Sequence, residues 1–186
     1  IYSVEKFIVA RRLMYWQVYL HKAVISAEFM LVNILKRAKE LVQQGENLFA
    51  TTALTVFLVN DFDWNDFESQ PALLDNFAKL DDNDIMAAIK EWCLHPDFVL
   101  SEMSKRLINR HLLKIEMRNT PFSTQEIEAV KKRVQTHFNF KNAEEDYFVI
   151  NQSIANHAYN PTSDHISLLY KDGQVVDISQ AADQLN

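Results

Sequence analysis

Arg11, Tyr15, Tyr19 and Lys22 are spaced at i, i+4, i+8 and i+11. At 3.6 residues per helical turn they fall within about 80° of arc, one polar and aromatic stripe on one helix face. Arginine offers a planar fork that matches phosphate. Tyrosine offers a flat face for a sugar or base, and a hydroxyl for hydrogen bonding. A stripe of this kind can hold a nucleotide. The same spacing equally fits two packed tyrosines flanked by solvated or ion-paired cations.

Other routes to phosphate chemistry are closed by composition. The 186 residues include only two glycines, Gly45 and Gly173, far apart. Glycine is the residue that lets backbone approach phosphate closely, so neither a P-loop nor a dinucleotide fingerprint can be built. Phosphate contact would fall to side chains or to a metal. The six histidines, His21, His95, His111, His137, His157 and His165, show no HExxH spacing, and none is followed by aspartate. They read as surface or capping residues. The acidic run Asp81, Asp82, Asn83, Asp84 lacks the glycine and distal glutamate of a calcium loop, and reads as a helix start. Cys93 is the one cysteine, so no internal disulfide forms, and it reads as an inert core thiol. With 19 basic and 25 acidic residues the formal net charge is −6, which weakens any case for nucleic acid as a partner. No apolar run approaches the roughly 20 residues of a membrane span. A cytoplasmic location is the expectation.

The elements that would position these residues are mostly helices. Ser3 to about Val42 contains no proline or glycine, and Gly45 lies just past its end. Leu31, Ile34, Leu35, Ala38, Leu41 and Val42 form its apolar stripe. One unbroken helix there would be about 58 Å long. Leu54–Val59 suits a helix better than a strand. Pro71 opens a short helix through Ala78. Ile85, Ala88, Ile89 and Trp92 continue the helix begun at the acidic run, Pro96 ends it, and Asp97 starts another to about Arg110. From Leu113 the period changes: Leu113, Ile115 and Met117 alternate with Lys114, Glu116 and Arg118, which predicts a half-buried strand. Ser123 to Glu126 is a capping box for a helix lined by Ile127, Val130, Val134 and Phe138. A strand at Tyr147–Gln152, a loop with Pro161, and a hairpin turning at Asp172-Gly173 complete the chain. The predicted fold is mostly α with a small α+β C-terminal unit of order β-α-β-β-β. Residues 1–110 form a helical part and 111–186 an accessory subdomain. Lys131, Lys132 and Arg133 read as a solvated helix face.

The run from Arg11 to Lys22 (Arg-Arg-Leu-Met-Tyr-Trp-Gln-Val-Tyr-Leu-His-Lys) resembles the HD-domain phosphohydrolases, among them the dGTPase-like and SAM-and-HD-domain dNTP triphosphohydrolases. Residues 79–85, 109–115 and 170–177 resemble further blocks of that family in the same order, so the likeness spans essentially the whole chain. It implies that the chain is the C-terminal part of a longer metal-dependent hydrolase, whose His, His-Asp and Asp metal ligands lie upstream of Ile1. Arg11 would match a phosphate-contacting arginine. Tyr19 would match the tyrosine that stacks near the deoxyribose. Tyr15 stands where the dNTP hydrolases often carry histidine, a departure that bears on substrate. His21 and Lys22 match a Tyr-x-His-Lys pattern facing a nucleotide or a neighbouring subunit. The expected function is therefore a contribution to nucleotide (dNTP-like) triphosphate hydrolysis: a substrate-contacting helix and an oligomerising lobe, inactive alone. A divalent metal would be bound outside this chain and a homo-oligomer formed. The alternative is a non-catalytic binding or oligomerisation module.

Overall fold

The computed structural model describes residues 2–155 and 166–181. The expected loop at Pro161, together with His157 and His165, lies outside the described residues. Helices dominate, with one two-stranded antiparallel sheet near the C-terminus. The chain divides into two compact units, Ser26–Asn151 and Ile1–Ile25 with Gln152–Asn186. The boundary expected near residue 110 falls inside the first of these. Leu112 and Leu113 pack on the same core as the preceding helices, and the buried Ser26 hydroxyl donates to the Leu113 carbonyl at 2.8 Å.

In the Ser26–Asn151 unit, the inner face of α2 (Lys22–Gln43) carries Met30, Ile34, Ala38 and Leu41, all buried as the apolar spacing predicts. Against it pack Leu54 and Leu58 of α3 (Thr52–Val59), Ala88, Ile89 and Trp92 of α6 (Asp82–Trp92), and Val99, Leu100 and Met103 of α7 (Phe98–Ile108). The Trp92 indole is fully buried and its N–H donates to the Phe49 carbonyl at 2.9 Å, which satisfies the one polar atom a core tryptophan brings. Two short helices, α4 (Trp64–Ser69) and α5 (Pro71–Phe77), hold Phe67 and Phe77 against Phe57 and Phe62.

Helix starts follow side-chain chemistry read directly from the sequence. Asp81 caps α6 through the N–H groups of Asn83 and Asp84, with Asp84 answering to the Asp81 N–H. Asp97 caps α7 and Ser123 caps α8 (Thr124–Phe138), again with a capping box to Glu126. Gly45, at φ +94°, turns the chain out of α2.

Three expectations need correction. The helix over residues 3–42 is interrupted. The α1 helix (Tyr2–Met14) widens into a π-helical turn at Tyr15–Tyr19, and Leu20 and His21 leave the helix before α2 begins. The expected strand at 113–117 forms no ladder. Leu113 and Ile115 are half-buried while Lys114 and Glu116 are exposed, so the alternation recorded burial against helices, not pairing. The expected strand at 147–152 is instead the end of a 3₁₀ turn (Glu144–Tyr147) followed by irregular chain, with Phe148 buried against Phe138 and Phe140.

In the other unit, β1 (Ser167–Leu169) pairs with β2 (Val175–Asp177) in the register Leu168 opposite Val176. Gly173, at φ +87°, makes the turn predicted for Asp-Gly. The hairpin leads into the short helix α9 (Ile178–Ala181), whose Ile178 is fully buried with Ile8, Val4, Ile166 and Leu168. Among the described residues no single helix is long and apolar enough to cross a membrane.

Candidate functional site

The N-terminal stripe is partly assembled by the structure. The Arg11 guanidinium carbon lies 5.9 Å from the centre of the Tyr15 ring. The Tyr15 and Tyr19 rings are 5.0 Å apart and tilted by 49°. Arg11 and Tyr19 are exposed and Tyr15 is half-buried. The three side chains therefore form a continuous cation–aromatic row open to solvent on one side. Lys22 does not continue that row within one helix. It is the first residue of α2, beyond the break at Leu20 and His21, and is exposed. The uniform 100° step that placed four residues on one stripe fails at the π turn, where the Leu20 N–H bonds the Tyr15 carbonyl five residues back at 2.7 Å.

The histidines behave as capping and surface groups where described. His21 Nδ1 accepts from the Ala23 N–H at 3.3 Å, and His95 Nδ1 from the Asp97 N–H at 3.1 Å. His111 and His137 are exposed. Among the described residues no three His, Cys, Asp or Glu side chains converge as metal ligands, so these residues do not fit a divalent metal. The Cys93 thiol donates to the Ile89 carbonyl at 3.3 Å, and burial pushes its pKa up, away from the reactive thiolate. Lys131 pairs with Asp146 at 2.8 Å, while Lys132 and Arg133 stay exposed.

A second polar cluster escaped the sequence reading. A cavity of about 440 Å³ lies between the outer face of α2 and the 3₁₀ turn, lined by Asn33, Lys36, Arg37, Glu40, Glu144 and Tyr147 among others. Arg37 grips Asp97 with two hydrogen bonds, Nη2 to Oδ2 at 2.6 Å and Nε to Oδ1 at 3.2 Å, and reaches Glu40 at 3.3 Å. The Tyr147 hydroxyl donates to Glu40 Oε2. Asn33 donates to the Tyr147 carbonyl at 2.8 Å, which fixes the turn against α2. Burial pushes the Asp97 carboxyl up, but hydrogen bonds from Arg37 and from the Leu100 N–H outweigh it and leave the carboxyl below its ordinary value. Arg37 is raised, first by its hydrogen bond to Asp97. Burial, and then the bond to Glu40, push Tyr147 up to about 12. The signal was present in the spacing of Asn33, Arg37 and Glu40 at i, i+4 and i+7 on the polar side of α2. Their partners at Asp97 and Tyr147 are distant in sequence.

No family model matches the chain. A phosphohydrolase from Bacteroides thetaiotaomicron, known from its crystal structure, matches all of it, with 45% sequence identity and a TM-score of 0.86. The chain shares a phosphohydrolase's fold. It covers 46% of that protein. The uncharacterized protein YwfO of Bacillus subtilis is 28% identical over an alignment that covers 96% of this chain and 40% of YwfO. The chain thus spans less than half the length of either relative.

Proposed function

We propose that this chain forms part of a phosphohydrolase of the HD-domain kind, acting on a nucleotide such as a deoxynucleoside triphosphate. The observation that supports the reading is the likeness of the whole chain to part of a phosphohydrolase, at an identity well above that at which only folds are shared. Arg11 and Tyr19 have the chemistry the reading needs. Arg11 is exposed at the end of a solvent-facing row, where its fork can take two phosphate oxygens. Tyr19 presents a half-exposed ring that can pack on the sugar and a hydroxyl that can bond it. Lys22, past the break, can add charge for the polyphosphate or face a neighbouring subunit. These residues bind and orient. The divalent metal that the resemblance implies would be held by ligands outside the described residues, and the roles of Arg11 and Tyr19 do not depend on its identity.

A second reading has its own support. Phe7 and Leu13 of α1 and Trp16 and Val18 of the π turn are each more than half exposed, apolar surface that association with other polypeptide would cover. A non-catalytic interaction module, or the homo-oligomer that the resemblance implies, would use that surface.

The full-length gene product, incubated with the four dNTPs and the four NTPs and Mn²⁺ or Mg²⁺, is expected to release phosphate, pyrophosphate or triphosphate. Residues 1–186 alone are expected to release none. A full-length protein silent towards all eight nucleotides, yet associating through these apolar residues, would favour the interaction module.

A further inference from the structure

Two features at Tyr15 have no role in the scheme above. The π turn at Tyr15–Tyr19 is a local departure from α geometry, and single π turns recur at functional sites because they re-aim side chains. With the Leu20 N–H bonded to the Tyr15 carbonyl, more than four residues fill the turn, and within it the Tyr19 ring lies 5.0 Å from that of Tyr15. Tyr15 also lies between two neighbours. Arg11 sits 5.9 Å from its ring centre on one side of the sequence, and Tyr19 5.0 Å away on the other. It is the least exposed of the three. A ring engaged in this way is poorly placed to stack on a ligand.

We propose that Tyr15 is a positioning residue: its ring holds the Arg11 guanidinium ready for an anionic polyphosphate, and the π turn braces that ring with Tyr19. The proposal rests on reading Arg11 as a phosphate contact. The physical argument is pre-organisation. An exposed arginine has many rotamers and loses them on binding, and an aromatic ring beside the guanidinium narrows them in advance. Arg11 has no ion-pair partner among the described residues, so its fork remains free for the ligand. The ring's face does this work, not its hydroxyl, so phenylalanine should substitute and an aliphatic side chain should not.

The test is calorimetric titration of inorganic tripolyphosphate into the full-length gene product and its variants. Tyr15→Phe is expected to bind within twofold of the wild type, and Tyr15→Leu several-fold more weakly. Arg11→Ala is expected to lose most of the affinity. The double variant Arg11→Ala/Tyr15→Leu is expected to bind no more weakly than Arg11→Ala, because Tyr15 acts only through Arg11. Circular dichroism melts must match among the variants compared. If Tyr15→Leu unfolds the protein, Tyr15→Met replaces it. An aliphatic variant that binds as well as the wild type, or whose loss adds fully to that of Arg11→Ala, overturns the positioning role and leaves the phosphate contact standing. A wild type that does not bind, or an Arg11→Ala variant that binds equally well, overturns both.

Discussion

Replacing Arg37 by leucine should be among the more costly single changes on the polar side of α2. Arg37 and Asp97 are each only about one-sixth exposed (18% and 16%), so this pair is not a surface salt bridge. Leucine suits the helix but strands the Asp97 carboxylate with one remaining donor, the Leu100 N–H at 2.8 Å. Breaking one side of a buried pair costs about 3–5 kcal/mol; residual access to water reduces this to roughly 2–3 kcal/mol. For a chain of this size, 1 kcal/mol corresponds to about 2–4 °C in Tm, so the expected fall is roughly 5–10 °C. Asp97→Asn keeps the helix cap and removes the stranded charge. The double variant Arg37→Leu/Asp97→Asn should therefore recover about 1 kcal/mol or more over the sum of the two single losses. The pH dependence has a fixed sign. The Asp97 carboxyl is depressed in the folded state, so its contribution is present above its unfolded value of 3.8 and is lost as pH falls through the lower folded value. The wild-type advantage over Arg37→Leu should shrink in that acid range. Urea denaturation at pH 7 and in stepwise more acid buffers measures all of this. An Arg37→Leu variant losing less than about 0.5 kcal/mol, or single losses that simply add, would show that Asp97 does not depend on Arg37 for its partner.

Tyr147 should ionise near pH 12. The stability it lends is complete below its unfolded value of 10 and is lost as pH rises towards 12; a phenolate absorbance titration of the wild type minus Tyr147→Phe reads it. Ser123→Ala removes the α8 cap and should cost about 1 kcal/mol, seen as a Tm lowered by a few degrees. Hydrogen bonds from Arg118, then from Ser123, hold the Glu126 carboxyl down to about 2, so the stability it lends the start of α8 should be complete above its unfolded value of 4.5 and lost as pH falls towards 2; carboxyl chemical shifts in an NMR titration follow it. Trp92→Ala, at a fully buried site, should cost about 3–5 kcal/mol in chemical denaturation, enough to leave the unit marginal.

Much of the fold was legible because short-range chemistry determined it. Asp81, Asp97 and Ser123 announced three helix starts, and Asp172-Gly173 announced the hairpin, since caps and turns are made within four residues. What the sequence concealed was long-range. Leu113 to Met117 alternates like a strand, but only a partner could have made it one, and the surrounding elements are helices. The break at Leu20 carries no proline or glycine, so composition gave no sign of it. The division at Ser26 and Asn151, in place of one near 110, depends on contacts such as Ser26 to Leu113 that no local pattern encodes. At the candidate site Arg11, Tyr15 and Tyr19 lie side by side, as i to i+4 spacing on one helix predicts, while Lys22 stands beyond the break, in α2, where that spacing no longer relates it to the other three.

Arg11 is proposed to contact a phosphate group of the nucleotide that is hydrolysed. Steady-state hydrolysis of dNTPs by the full-length gene product, wild type against Arg11→Ala, tests it most directly. A loss of at least tenfold in kcat/KM, with melting temperature and oligomeric state unchanged, is the predicted result. Equal hydrolysis by the two proteins would contradict it.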